Sequence, residues 1–198
     1  MKQLLIFLFV SSVLVSCGKI STSKLSGTWN VTSYEQVYTY TSSNSQFNMS
    51  RTIKHDGVKY VVTEKNSDST FSKTYQIKLD QFEFSKDGSF KRLFNIQNDV
   101  SEVIKSEESG IWYFAEKSSK NDIGTHELIH LVITYMKYNK TIGTTTLENY
   151  ESNYGSQNSP ILYKVVSSKG KKMELEVTTE SSGNSTKSTT VTHYTLEK

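Results

Sequence analysis

After residue 25 the chain alternates apolar and polar positions in short runs, the two-residue period of strands that bury one face. Met173, Leu175 and Val177 share one parity, while Lys172, Glu174 and Glu176 take the other. Tyr75, Ile77 and Leu79 repeat the pattern, but Phe82 and Phe84 fall on the opposite parity, so a bulge or bend is expected near Asp80-Gln81. Lys86-Asp87-Gly88-Ser89 is a Gly-containing turn, and Phe90, Phe94 and Ile96 beyond it complete a hairpin. The same turn chemistry recurs at His55-Asp56-Gly57, Ser168-Lys169-Gly170-Lys171 and Ser182-Gly183-Asn184. Runs near 28–40, 47–54, 58–65, 73–84, 89–97, 101–107, 111–117, 127–138, 161–167, 172–180 and 186–196 predict about ten strands at the spacing of a sandwich or barrel. Asp99 to Gly110, Lys117 to Thr125 and Thr141 to Ser159 read as loops or extended hairpins. Helix signals are weak, and closing such a meander into a barrel removes its unpaired edges.

The first residues follow a different rule. Met1-Lys2 is a positive start, Leu4 to Val15 is apolar apart from Ser11 and Ser12, and small or polar residues follow at Ser16 to Gly18, the layout of a secretory signal. The apolar stretch is short of the roughly 20 residues that span a bilayer, and no later segment is a candidate. Leu14-Val15-Ser16-Cys17 resembles the lipobox of bacterial lipoproteins. The resemblance implies that residues 1–16 are a lipoprotein signal peptide and that Cys17, bearing palmitate or similar acyl chains, is the mature N-terminus. Residues 17–24 would then be a polar, structureless tether and 25–198 the folded domain. Cys17 is the one cysteine, so no disulfide forms within the chain. Each buried acyl CH₂ contributes about 0.8 kcal/mol, so two or three chains would hold the protein firmly.

Composition narrows the partners. With 35% hydrophobic, 12% aromatic and 22% charged residues the chain suits one folded domain rather than a disordered one. Its 23 Lys and Arg against 20 Asp and Glu leave a net charge of +3, too small and scattered for a nucleic-acid footprint. One proline and many threonines favour strands.

Leu25-Ser26-Gly27-Thr28-Trp29-Asn30-Val31 resembles the opening of lipocalin-like domains, in which Gly-x-Trp begins the first strand and the indole packs across the closed end of the barrel. Phe82 to Phe90 resembles the central hairpin of lipocalin-like bacterial lipoproteins. Ser109-Gly110-Ile111-Trp112 resembles their second Gly-x-Trp strand, and Tyr163 to Val177 their late hairpin. The likeness covers nearly the whole mature chain and rests on Gly27, Trp29, Gly110 and Trp112. It implies an all-β, antiparallel up-and-down barrel of about 8–10 strands. Two features depart from the classical lipocalins. The only arginines are Arg51 and Arg92, so none on the last strand can stack on Trp29, and no cysteine pair staples the barrel.

His126-Glu127-Leu128-Ile129-His130 matches H-E-x-x-H, whose chemistry needs two imidazoles one helical turn apart on zinc. On a strand the same spacing is about 13 Å, too far for two ligands about 2 Å from one metal. The β-branched and aromatic run Ile129, Val132, Ile133, Thr134, Tyr135 and Tyr138 favours the strand, so neither a metal nor a catalytic residue is assigned and no cofactor is expected. Phosphate-cradling, nucleophile-elbow and Cys-x-x-Cys signatures do not occur in the sequence. Glu107-Glu108 reads as solvated charge in a polar connection. Lys169, Lys171 and Lys172 read as a hairpin tip that protects an edge. Tyr34, Tyr38, Tyr75, Phe84 and Phe94 could line an apolar pocket with hydroxyl handles or fill a core. The resulting expectation is a non-enzymatic, lipid-anchored envelope protein, at the outer membrane and facing the periplasm, binding a small hydrophobic or amphipathic molecule. The alternative is a solid barrel that grips another envelope protein, with a zinc hydrolase a distant third.

Overall fold

The alternation becomes eleven antiparallel strands in one sheet in the computed structural model, which describes residues 20–42, 48–115, 127–155, 159–183 and 186–198. In chain order they are β1 (Gly27–Ser42), β2 (Asn48–His55), β3 (Lys59–Lys65), β4 (Thr70–Phe84), β5 (Ser89–Gln97), β6 (Glu102–Phe114), β7 (Leu128–Ile142), β8 (Thr145–Asn153), β9 (Ile161–Lys169), β10 (Lys172–Ser182) and β11 (Thr186–Glu197). Ten of them close a ring: β6-β5-β4-β3-β2-β1-β11-β10-β9-β7, with β6 pairing β7 to shut it. The protein is thus a closed, antiparallel, up-and-down β-barrel, one of the two architectures its strand spacing predicts and the one the resemblance implies.

The two ends of the barrel differ. At one end β1 pairs directly with β4, from Gly27↔Phe84 to Asn30↔Gln81, beneath the β2–β3 hairpin. Dropping β2 and β3 leaves eight strands there, and the narrow ring fills with side chains. Trp29, Phe82, Phe84, Phe90, Trp112, Ile129, Met173 and Leu196 form this lower core. Trp29 Nε1 donates to the Leu25 carbonyl at 2.6 Å, and Trp112 Nε1 to the Ser85 carbonyl at 2.9 Å, so both indoles are satisfied.

Toward the other end the wall splits. β7 pairs β9 only over Leu128–Leu131, and its upper edge pairs β8 instead. The β10–β9 ladder stops at Glu176↔Lys164, so among the described residues Thr178 to Ser182 pair on one side only, with β11.

Several expectations need correction. The segment 17–24 is not all tether: Ile20 and Leu25 are fully buried in the core, and Thr22–Leu25 forms a single helical turn, α1. The β4 irregularity lies between Ile77 and Leu79, just before the predicted Asp80-Gln81, and it brings Asp80, Phe82 and Phe84 onto the buried parity. Residues 101–107 and 111–117, expected as two runs with a loop reading for 99–110, are one strand up to Phe114, irregular between Ser109 and Gly110. Of the two readings of 141–159, the extended hairpin holds, β8 pairing back along β7 from Ile142↔Thr145 as a strand outside the ring. The 117–125 loop lies outside the described residues.

Although no arginine reaches Trp29, a lysine does. Lys198 Nζ lies 4.6 Å from the ring centroid and donates to the carbonyls of Lys24 and Ser26 at 2.7 and 2.6 Å. A cation from the end of the last strand thus seals the closed end through a cation–π contact. Gly110 is required by sterics: a Cβ there would collide with the Val132 carbonyl oxygen and lie 3.0 Å from Phe90 Cε1.

Candidate functional site

Cross-strand pairing decides which side chains share the interior, because residues opposite each other point to the same face. Asp80↔Phe94, Phe82↔Arg92 and Arg92↔Glu108 place an aspartate, an arginine and a glutamate on the inward parity of β4, β5 and β6. Tyr34 of β1, Tyr60 of β3, Tyr163 of β9 and Tyr194 of β11 complete this middle tier. Tyr194 lies 4.9 Å from Tyr34, 6.0 Å from Tyr163 and 5.6 Å from Phe82, and Tyr60 lies 5.3 Å from Phe94, between ring centroids.

Arg92 is the hub. Its guanidinium carbon lies 5.0 Å from the Phe82 centroid and 5.4 Å from that of Tyr194, and Nη1 donates to the Tyr194 hydroxyl at 3.4 Å. Its Nη2 is 3.8 Å from Asp80 Oδ1, close enough for attraction but too far for a hydrogen bond. Both Asp80 carboxylate oxygens and Arg92 Nε are therefore buried without a hydrogen-bond partner. Burial outweighs the pull of Arg92 and pushes the Asp80 carboxyl up to about 6. His55, opposite Tyr34 and Tyr60, accepts the Gly57 N–H at Nδ1 (2.9 Å), so Nε2 carries the proton and is also buried and unpartnered. Burial lowers its basicity and keeps it neutral. Burial likewise raises Tyr34, and raises Tyr60 to about 12, so both remain hydroxyl donors.

Above this tier Gln36, Tyr38, Ser106, Tyr138 and Thr190 are half-buried, and Arg92 retains 18% side-chain exposure. Higher still Glu102, 2% exposed, is held by Lys73, by Lys140 at 3.5 Å and by the Asn98 amide at 2.9 Å. Burial raises the Glu102 pKa, but the Lys73 hydrogen bond and the two lysine charges overcome it and hold the carboxyl below its ordinary value. A hollow of about 520 Å³ runs along β4 to β7, lined among others by Leu93, Phe94, Lys105, Ser106, Glu107 and Lys137.

The chain matches no family model, no curated protein and no solved structure. The site is therefore judged on its own geometry.

Of the proposed pocket residues, Tyr34, Tyr75 and Phe94 belong to the middle and upper interior, Tyr38 lies above them, and Phe84 is part of the lower core, 6.2 Å from Trp112. Glu108, expected as solvated charge in a polar connection, belongs to a strand. It lies on β6, half-buried opposite Arg92, while Glu107 faces out and pairs Lys91 at 2.7 Å. Its parity with Ile104 and Trp112 was the available signal. His130 sits on β7 across from Tyr113, and the rings stack at 5.0 Å on the outer wall. Leu128 onward is strand, as the β-branched run predicts; His126 and Cys17 lie outside the described residues. Among the described residues no three His, Cys, Asp or Glu side chains converge as a metal site. Lys169 and Lys172 end β9 and begin β10, so the basic cluster is a hairpin tip.

Proposed function

We propose that this protein is a non-enzymatic binding barrel of a bacterial envelope, anchored through a lipidated Cys17 at the outer membrane and facing the periplasm, that takes a small amphipathic molecule through its open end. The observation that carries the reading is the set of buried polar groups left without hydrogen bonds under aromatic walls: both Asp80 oxygens, Arg92 Nε and His55 Nε2. An unpaired buried polar group costs about 1–3 kcal/mol, and a folded chain keeps several together where a bound molecule supplies the missing partners. Apolar rings with a few convergent polar groups are also the ordinary make-up of small-molecule sites.

Native mass spectrometry of the protein purified from its own envelope tests this. A non-covalent organic mass, additional to the acyl chains on Cys17 and lost on denaturation, supports the binding barrel and defines the ligand. The mass of the acylated chain alone, the same in native and denaturing conditions, overturns it and shifts weight to a protein-binding role, for which the exposed Ile111, Tyr113, Leu162 and Val166 on the outer wall are the natural surface.

A further inference from the structure

We propose that the head group received at this floor is a cation, an ammonium carried on an apolar body, with Asp80 as its direct partner. The inference rests on the binding reading above and names the class of molecule. Asp80 is the second, independent pointer beyond the charge cluster itself: its side chain is 1% exposed, faces the interior and leaves both oxygens unpartnered.

The sign follows from a count of charges inside the barrel. Asp80 and Glu108 face a single cation, Arg92. Higher up, away from this floor, Lys73 and Lys140 share Glu102, Lys140 also reaching the exposed Glu148 of β8 outside the ring, and Arg51 pairs with Glu64. His55 adds nothing, being neutral. At this floor, Asp80 and Glu108 against Arg92 thus leave one negative charge over, in surroundings where a charge is costly unless paired. An anionic head group directed at Arg92 would meet two carboxylates beside it.

The aromatic surfaces agree with this sign. Arg92 already covers Phe82 and Tyr194, whereas Phe94, in edge contact with Tyr60, is the cross-strand neighbour of Asp80. Ring faces attract cations, with a gain of up to about 2 kcal/mol when the cation is desolvated. A bound ammonium would donate to the Asp80 oxygens and lie against those rings. The remaining apolar body would extend toward Tyr38 and Tyr138 at the open end.

The test uses three probes that differ only in head group: hexylamine, hexanol and hexanoate. Each is titrated by calorimetry into the full chain held in a non-ionic detergent, near pH 7.5. Hexylamine is expected to bind at least tenfold tighter than the other two. Asp80→Asn should remove that preference, and Glu108→Gln should reduce it, with circular dichroism confirming that each variant keeps its strands. Tightest binding by hexanoate, or an unchanged preference in Asp80→Asn, overturns the cation assignment while leaving the binding barrel intact. If none of the three binds, the assignment falls, and native mass spectrometry decides separately whether the binding reading falls with it.

Discussion

Asp80 makes stability depend on pH in a direction opposite to that of most carboxylates. Its pKa rises from 3.8 to about 6 on folding, because burial penalises the charge more than Arg92, 3.8 Å away, relieves it. The folded state therefore holds a proton that the unfolded chain releases. Below about pH 4 Asp80 is neutral in both states; between there and pH 6 ionisation costs the folded state progressively, and above pH 6 the loss is complete. A shift of roughly two units at 1.36 kcal/mol each amounts to about 3 kcal/mol. Urea unfolding of the protein and of Asp80→Asn at intervals from pH 3.5 to 7.5 isolates this group, since the other titrations largely cancel in the difference. The natural chain should lose about 3 kcal/mol relative to the variant across that range. A difference constant to within about 0.5 kcal/mol, or one moving in favour of the natural chain, would show that Asp80 forms an ordinary ion pair and that the reasoning from burial is wrong.

Three further outcomes are expected. Gly110→Ala should cost about 1–3 kcal/mol in urea unfolding, because the new methyl group meets the Val132 backbone and the Phe90 ring at a β6–β7 irregularity. Lys198→Ala removes the cation over Trp29 and two hydrogen bonds to the α1 region; a loss of about 1 kcal/mol is expected, with faster amide exchange confined to residues 22–26. Glu102→Gln should cost about 2 kcal/mol at pH 7 by weakening its hold on Lys73 and Lys140. Because folding lowers the Glu102 pKa, its contribution is present above the ordinary glutamate value and disappears as pH falls through the folded one, so the two proteins should converge in acid.

What the sequence disclosed depended on whether one face of a strand is buried. β10 was plain because Met173, Leu175 and Val177 alternate with charges. β8 left almost no trace, since nearly all its residues are exposed and apolar periodicity cannot mark a strand that buries no face. The site was half legible. Arg92 stands between Phe90 and Phe94, and Asp80 shares parity with Phe82 and Phe84, so both charges could be placed inside from spacing alone. Their convergence could not be read, because it depends on pairing across β4, β5 and β6 and on an irregularity displaced toward Ile77. The role of Lys198 was hidden for a related reason: it is brought to Trp29 by closure of the ring, 169 positions along the chain and with no local signal.

The burial of Ile20 bears on the posture of the whole molecule. If Cys17 carries the lipid, only Gly18 and Lys19 separate it from a residue fixed in the core at the closed end. Three residue steps of extended chain reach about 10 Å. So short a leash would keep the closed end of the barrel next to the bilayer. On the proposed anchoring, the sealed base would face the headgroups and the mouth would open into the aqueous space, so that traffic through it would come from solution rather than from the membrane.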